Sequence, residues 1–227
     1  AGGPVSVWAI VPAAGRGERF GGNRPKPFAD LGGKPVIART LGVFEGCAAV
    51  EGVVLVAHED WLKDYRAVVA EYGLKKIHAV VAGGETRTQS VRAGLAALGG
   101  TADVVIVHDG VRPLVTAEVI AAGIDAVKAT GAAIAAVPVK PTIKAIDPKT
   151  GTVTETLDRA LLREVQTPQV FARKVLEEAY DRDRDGASDD AALVERNGVK
   201  VAVFMGSYTN VKITTPEDLV MARAFLT

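Results

Sequence analysis

The sequence predicts an α/β fold: a single doubly wound, Rossmann-like domain over residues 1–227, with a mainly parallel sheet and a β-hairpin arm at residues 140–161. Three observations predict it. Short β-rich runs alternate with amphipathic stretches, the rhythm of a parallel sheet with helices on both faces. Glycine-rich or charged segments follow the first, third and fourth of these runs, where open α/β sheets bind ligands. After Val139 the alternation gives way to two short polar strands around a turn.

The elements follow in order. Residues 5–11 are a near-continuous apolar run, as in a strand buried on both faces. A turn-rich loop fills residues 12–27. Lys34-Pro35 opens a helix that runs to Phe44. Residues 53–57 make a second strand. Asp60 is expected to cap the next helix, in which Trp61, Leu62, Tyr65, Val68, Val69 and Tyr72 recur at helical spacing and which Gly73 ends. A strand at 77–81 leads through Gly83-Gly84 to a helix at 86–98, stopped by Gly99-Gly100. A strand at 104–107 ends at His108-Asp109-Gly110. Thr116 caps a helix reaching Thr130, and a strand at 133–139 follows. Residues 142–146 and 152–156, around the turn Asp147-Pro148-Lys149-Thr150-Gly151, read as a hairpin. Its strands hold too few large apolar residues to build a core layer, so it reads as an arm that covers something, such as a second subunit. Helices at 172–180 and 189–196 and a strand at 201–204 complete the pattern. A last helix starts at Thr215, with Pro216 at its first position and Glu217 and Asp218 in its first turn.

Composition excludes several classes. With 48% hydrophobic and 24% charged residues, 227 residues can bury a core without disulfides or metal, and the bulk of the chain is not intrinsically disordered. No apolar run reaches the ~18 residues of a membrane helix. Residues 1–4 lack the features of a signal peptide and read as a tail or cloning remnant. The single cysteine, Cys47, suits a reducing, cytoplasmic compartment. Twenty-seven basic residues balance 27 acidic ones, which disfavours a broad nucleic-acid footprint.

Three segments carry chemistry. In the loop after the first strand, Gly15, Gly17, Gly21 and Gly22 permit close backbone approach, and Arg16, Arg19, Arg24 and Lys26 supply cations. Backbone N–H groups with such cations make a polyphosphate cradle. The loop is neither of two common phosphate motifs. Phe20 stands where a dinucleotide fingerprint needs Gly or Ala, and Asn23-Arg24 stand where a P-loop needs Lys-Ser/Thr. In His108-Asp109-Gly110-Val111-Arg112-Pro113, Asp109 can hold Mg²⁺ or a substrate hydroxyl and Arg112 can grip a phosphate. His108 reads as a packed structural residue. In the third segment, Gly83-Gly84 allows a flat ligand to approach, and Ser90 can offer a hydroxyl to a base or ribose. Taken singly, these segments also read as a solvated loop, a turn with an internal Asp–Arg pair, and strand-to-helix punctuation.

Other signals are absent or fail. Asp181–Gly186 imitates half an EF-hand, but Ala192 occupies the position of the bidentate glutamate. Cys47, His58 and His78 have no sequence partners, and no Gly-x-Ser-x-Gly elbow occurs. Cations and one acid without a nucleophile–base pair suit nucleotidyl transfer. An attacking phosphate monoester is largely ionised near neutrality, its second pKa being ~6, so it needs positioning and charge neutralisation rather than a general base.

Six motifs then occur in a recognisable order: Ala9-Ile-Val-Pro-Ala-Ala-Gly-Arg-Gly-Glu-Arg-Phe20 with Pro25-Lys26; Gly83-Gly84 through Arg87 and Ser90; His108-Asp109 with Arg112-Pro113; Asp158-Arg159; Gln166-Thr-Pro-Gln169; and Asn210-Val-Lys-Ile-Thr-Thr-Pro-Glu-Asp218. Over nearly the whole chain they resemble the 2-C-methyl-D-erythritol 4-phosphate cytidylyltransferases. The resemblance implies a Rossmann-like nucleotidyltransferase fold. It implies an enzyme that joins CTP and methylerythritol phosphate, with Mg²⁺, into CDP-methylerythritol and pyrophosphate in the non-mevalonate isoprenoid pathway. It also implies a homodimer whose arms clasp each other. Arg19, Lys26 and Lys212 would hold the triphosphate and stabilise the transition state. Pro12, Ala13, Ala14, Gly15, Gly83, Gly84 and Ser90, with Arg87 close by, would form the cytosine and ribose pocket. Asp109, Arg112, Thr142, Thr167 and Arg159 would bind the methylerythritol phosphate, Arg159 from the neighbouring subunit, and Asp109 would contact the metal. Ser188 and Asp189 match a polar segment near that pocket.

The chain departs from the family at Gly110-Val111, where Ala-Ala is usual. Gly110 loosens the loop that touches the sugar phosphate, and Val111 is similar to the ribitol-phosphate cytidylyltransferases. Thr142-Ile-Lys144 and Thr156-Leu-Asp-Arg159 favour the methylerythritol branch. Pro27 replaces a more usual Gln or Ala, with little consequence expected. A ribitol 5-phosphate cytidylyltransferase is thus the alternative enzyme. A non-catalytic nucleotide sensor is the alternative outside enzymes, though it could dispense with Lys26 and Lys212, and both are present. Some relatives carry a fused cyclase; the chain stops after its last helix and is expected to be monofunctional.

Overall fold

Seven strands form one sheet in the order β3-β2-β1-β4-β8-β5-β9 in the computed structural model, which describes residues 5–15, 24–100, 102–183 and 186–226. The strands are β1 (Val7–Ala13), β2 (Gly52–Ala57), β3 (Ile77–Ala82), β4 (Val104–Val107), β5 (Ala132–Pro138), β8 (Arg163–Ala172) and β9 (Ala202–Met205). A separate antiparallel pair, β6 (Lys144–Ile146) and β7 (Val153–Thr156), makes the expected arm. The helices are α1 (Val36–Gly46), α2 (Leu62–Glu71), α3 (Arg87–Ala96), α4 (Ala117–Thr130), α5 (Arg173–Arg182), α6 (Asp190–Arg196) and α7 (Pro216–Ala224). None of the described helices is long and apolar enough to cross a membrane.

The sheet forms because its central strands are apolar on both faces. In β1, Val7, Ala9 and Val11 join one core with Leu41, Phe44, Leu55, Ile106 and Ile120. The alternate residues Trp8 and Ile10 join a second core with Val54, Val91, Val105 and Leu176. This period-two division puts one hydrophobic layer on each side of the sheet. Each such side chain taken fully out of water contributes ~1.5–3 kcal/mol. The helices start where the sequence expects. Thr86 and Thr215 form capping boxes with Gln89 and Asp218, and the Thr116 hydroxyl accepts from the Val119 N–H.

Two expectations need correction. The start of α2 is not capped by Asp60. The His58 Nδ1 accepts from the Asp60 N–H at 3.2 Å, a 3-10 turn spans Glu59–Trp61, and α2 begins at Leu62. The aligned polar atom next to the first free N–H is the imidazole, so it takes the capping role. The second correction is β8, which the sequence pattern does not announce. It lies between β4 and β5 and runs antiparallel to both, while the other pairs in the sheet are parallel. Its central residues include Gln166, Thr167, Pro168 and Gln169, which do not resemble a buried strand. Gln166, Thr167 and Gln169 are nevertheless buried, because each finds hydrogen-bond partners among the loops described next.

Candidate active site

The C-terminal ends of β1 to β4 open into one cleft of about 760 Å³. β1 contributes Pro12, Ala13, Ala14 and Gly15 to its wall, and Lys26 comes from the 3-10 turn Lys26–Phe28 that follows. The β1 end is held in place from beneath. The Tyr65 hydroxyl donates to the Ala13 carbonyl at 3.0 Å, and the Gly110 N–H donates to the Pro12 carbonyl at 3.1 Å. Burial pushes the Tyr65 phenol well above its usual range, so it stays a neutral donor.

The opposite wall is built by Gly83, Gly84, Arg87 and Ser90, from the β3–α3 junction. A Cβ on Gly83 would stand 2.6 Å from the Ser90 Oγ and 2.7 Å from the Ala14 Cβ. Only glycine lets the chain at residue 83 approach β1 and α3 this closely. The Ser90 hydroxyl bonds the Thr86 carbonyl at 3.0 Å, as a serine one turn along a helix can.

Asp109, at the end of β4, is the electrostatic centre. Its carboxylate lies 3.0 Å from Lys212 Nζ, 3.4 Å from Arg112 Nε and 3.6 Å from Arg87 Nε. Burial acts to raise its pKa, but Lys212, Arg87 and Arg112 together hold it well below the ordinary carboxylate range. Asp109 is therefore ionised at any physiological pH. Burial pulls the Arg112 guanidinium down while Asp109 opposes the change. Arg112 Nη1 also donates to the Asn210 carbonyl at 2.8 Å.

Three contacts place Lys212 against Asp109. The buried Asn210 amide donates to the Thr167 carbonyl at 2.8 Å and to Gln166 Oε1 at 3.3 Å. The Ile213 N–H donates to the Val111 carbonyl at 2.9 Å. The loop that carries Lys212 is thereby stitched to β8 and to the β4 turn on either side of the lysine. The β4 turn is itself fixed by His108. Its Nε2 lies 3.0 Å from the Arg112 carbonyl, which can only accept, so this nitrogen carries the proton. Its Nδ1 then accepts from the Thr167 hydroxyl at 3.0 Å, and Thr167 Oγ1 in turn accepts from the Asp109 N–H at 3.0 Å. Burial lowers the His108 pKa to about 4, so the ring is neutral and structural, as expected.

The remaining predicted site residues fall into three groups. Arg112 and Thr167 sit behind Asp109 and hold it, rather than lining the cleft. Thr142 and Arg159 lie at the base of the arm, outside the cleft of this chain; Arg159 Nη1 donates to the Lys140 carbonyl at 2.8 Å. Arg19, with Arg16, Gly17, Gly21 and Gly22, lies outside the described residues. The structure also adds residues that sequence reasoning missed. His58, Glu59 and Asp60, at the end of β2, line the cleft. Their signal was present: three polar residues directly after a fully apolar strand. Asp190, which pairs with Arg87, and Tyr180, which donates to Asp190, gave no such signal.

The fold and this cleft define a nucleotidyltransferase of the doubly wound α/β class, with a glycine-lined wall and a charged centre in one cleft at the strand ends. A family model described as "IspD: 2-C-methyl-D-erythritol 4-phosphate cytidylyltransferase" matches residues 7–227. The chain belongs to that family. It is 46% identical over 220 residues to the 2-C-methyl-D-erythritol 4-phosphate cytidylyltransferase of Dehalococcoides mccartyi, covering 97% of this chain and 96% of that protein. It is 43% identical over 229 residues to the enzyme of the same name from Geobacter metallireducens, covering 98% of each. Among solved structures, the 4-diphosphocytidyl-2C-methyl-D-erythritol synthase of Anaerococcus prevotii matches with a TM-score of 0.86 and 31% identity over 99% of both chains. The cytidylyltransferase of Thermus thermophilus matches with a TM-score of 0.76 and 33% identity, over 97% of this chain and 98% of that one.

Proposed function

We propose that this chain transfers the cytidylyl group of CTP to 2-C-methyl-D-erythritol 4-phosphate, giving CDP-methylerythritol and pyrophosphate for isoprenoid biosynthesis. One observation carries the reading. Lys26 and Lys212, from distant parts of the chain, line the same cleft as the Gly83–Ser90 wall and Asp109. Two cations beside a glycine-lined wall suit a nucleoside triphosphate.

In this reading the cytosine and ribose lie between the Pro12–Gly15 segment and the Gly83, Gly84 and Ser90 wall. The polyol phosphate lies toward Asp109. An oxygen of its ionised phosphate attacks the α-phosphorus of CTP, forming a new phosphoanhydride bond. The bond from the α-phosphorus to the bridging oxygen breaks, and pyrophosphate leaves with the electron pair. No proton need be removed, so the protein supplies alignment and positive charge. Lys26 and Lys212 are placed to supply that charge, and Arg19 is assigned the same role. The Arg112–Asp109–Lys212 group sets the acceptor side.

Mg²⁺ fits this donor set in one way. It is commonly held by one or two carboxylates together with substrate phosphates, and Asp109 is a carboxylate that reaches the cleft. Asp109 would share the ion with the triphosphate, with Lys212 giving up its 3.0 Å contact. Bound there, the ion would neutralise phosphate charge.

The arm points to a homodimer. Among its residues, Ile146 and Val153 are each 58% exposed and Leu161 is 82% exposed. A lone two-stranded hairpin is marginal in water, so a second subunit that covers these side chains explains why the arm holds. Thr142 and Arg159 would then meet the acceptor across the interface. A cytoplasmic location rests on the single, buried Cys47.

The test is pyrophosphate release with CTP and methylerythritol phosphate, compared with UTP, ATP and ribitol 5-phosphate. The expected result is that CTP with methylerythritol phosphate is fastest. Faster turnover of ribitol 5-phosphate would overturn the choice of acceptor, which Gly110-Val111 makes the informative comparison.

A further inference from the structure

Asp190 is the first residue of α6, and its side chain is wholly buried, at 0% exposure. A buried carboxylate is costly unless it is paired. Oδ1 accepts from the Tyr180 hydroxyl at 2.5 Å. Oδ2 lies 2.6 Å from Arg87 Nη2, a close ion pair. A second nitrogen of the same guanidinium, Nε, lies 3.6 Å from Asp109 Oδ1. Burial would lower the Arg87 pKa, but Asp190 and Asp109 hold it above its ordinary value, so the fork remains charged.

A guanidinium is planar and rigid, so fixing one nitrogen constrains the others. Arg87 is the first residue of α3, which leaves only its side chain to be oriented. Asp190 orients it. Asp190 itself is anchored by β8. Gln169 Nε2 donates to Asp189 Oδ2 at 2.7 Å, and Gln169 Oε1 accepts from the Ala191 N–H at 3.0 Å. Two residues earlier on β8, Thr167 holds the Asp109 N–H. One strand thus fixes two members, Asp190 and Asp109, of a chain of contacts Tyr180–Asp190–Arg87–Asp109 that leads to the cleft.

We propose that Asp190, through Arg87, is a positioning residue for Asp109 and so for the polyol phosphate side of the site; this rests on the reading of Asp109 as an acceptor-binding group. Without the Asp190 charge, Arg87 turns fully toward Asp109 and the acceptor-side geometry is lost. The base pocket, shaped by backbone at Gly83 and Gly84, is left intact.

The experiment compares wild type with Asp190→Asn, which keeps the shape and the Tyr180 acceptor while removing the charge. KM for each substrate, kcat and the thermal midpoint are measured. The expected result is a rise of about tenfold or more in KM for the polyol phosphate, the scale seen when outer-shell partners of binding groups are lost. KM for CTP should rise by clearly less, because Arg87 also lines the glycine wall of the cleft. Tyr180→Phe, which frees Asp190 to rotate, should shift the acceptor KM in the same direction by less. If Asp190→Asn does not fold, the Tyr180→Phe result decides alone. Unchanged acceptor KM in a folded variant, or an equal rise for CTP, overturns the proposal. Wild-type turnover separates this outcome from the functional reading. If wild type prefers ribitol 5-phosphate, the same split is read on that acceptor, and if it uses no polyol phosphate the proposal falls with the reading.

Discussion

Lys212 Nζ stands 3.0 Å from Asp109 Oδ2, so a cation from the last loop meets the carboxylate at the end of β4. The lysine side chain is 42% exposed on the cleft and the carboxylate 10% exposed. In the proposed reaction the exposed lysine exchanges this partner for an anionic substrate. Removing either lysine tests this. Lys212→Ala and Lys26→Ala should each lower kcat by ~10²–10³, the usual cost of losing one group that stabilises transition-state charge. Lys212→Ala should also lower the thermal midpoint, since it removes one of the cations paired with buried Asp109. Full activity in either variant would show that the charge is supplied elsewhere.

His108 makes stability depend on pH. Its pKa falls from the usual 6.5 to about 4 in the folded chain. The unfolded chain then binds the extra proton first. The contribution is fully present above about pH 6.5 and is lost as pH falls toward 4, reaching up to ~3 kcal/mol. Asp109 adds loss of the same sign at still lower pH, below the ordinary carboxylate range. Urea unfolding at several pH values measures this. His108→Gln should flatten the slope between pH 6.5 and 5; an unchanged slope would mean that the histidine is not the group involved.

Gly83→Ala should damage the base pocket selectively. The new methyl would press on Ser90 Oγ, the Ala14 Cβ and Val56. Overpacking of this kind costs ~1–3 kcal/mol. The KM for CTP should rise well beyond that for the acceptor. A variant with wild-type CTP kinetics would place the base elsewhere in the cleft.

The arm should carry the dimer. Deleting residues 144–154 removes β6, the turn and the start of β7. Sedimentation should then report a monomer, and turnover should collapse if Arg159 acts across the interface. A dimeric, fully active deletion variant would contradict a shared site.

Much of this architecture could be read before any coordinates. The apolar runs of β1, β2, β4 and β5, the threonine caps of α4 and α7, and the hairpin all announce themselves through local chemistry. β8 did not, because its buried polar side chains follow no strand pattern until their partners are known. Gln166, Thr167 and Gln169 look like loop residues, and they are tolerated in the sheet because Ser207, Asn210, Asp109, Asp189 and Ala191 satisfy them. The His58 cap was missed for the same reason: an imidazole caps only when the backbone happens to aim an N–H at it.

The alternation of strands and helices apart from β8, the glycine-rich approach at Gly83, and Lys26 and Asp109 as charged groups after strands were written in local sequence, while Lys212 came only with the family resemblance. Local patterns report how a residue treats its neighbours in the chain, and those features depend on little else. The insertion of an antiparallel strand between β4 and β5, the convergence of three cations on one carboxylate, and the buried Tyr180–Asp190 support for Arg87 were decided only by the tertiary structure. These depend on contacts between residues far apart in the chain, whose energies exist only once the sheet has brought them within a few ångströms.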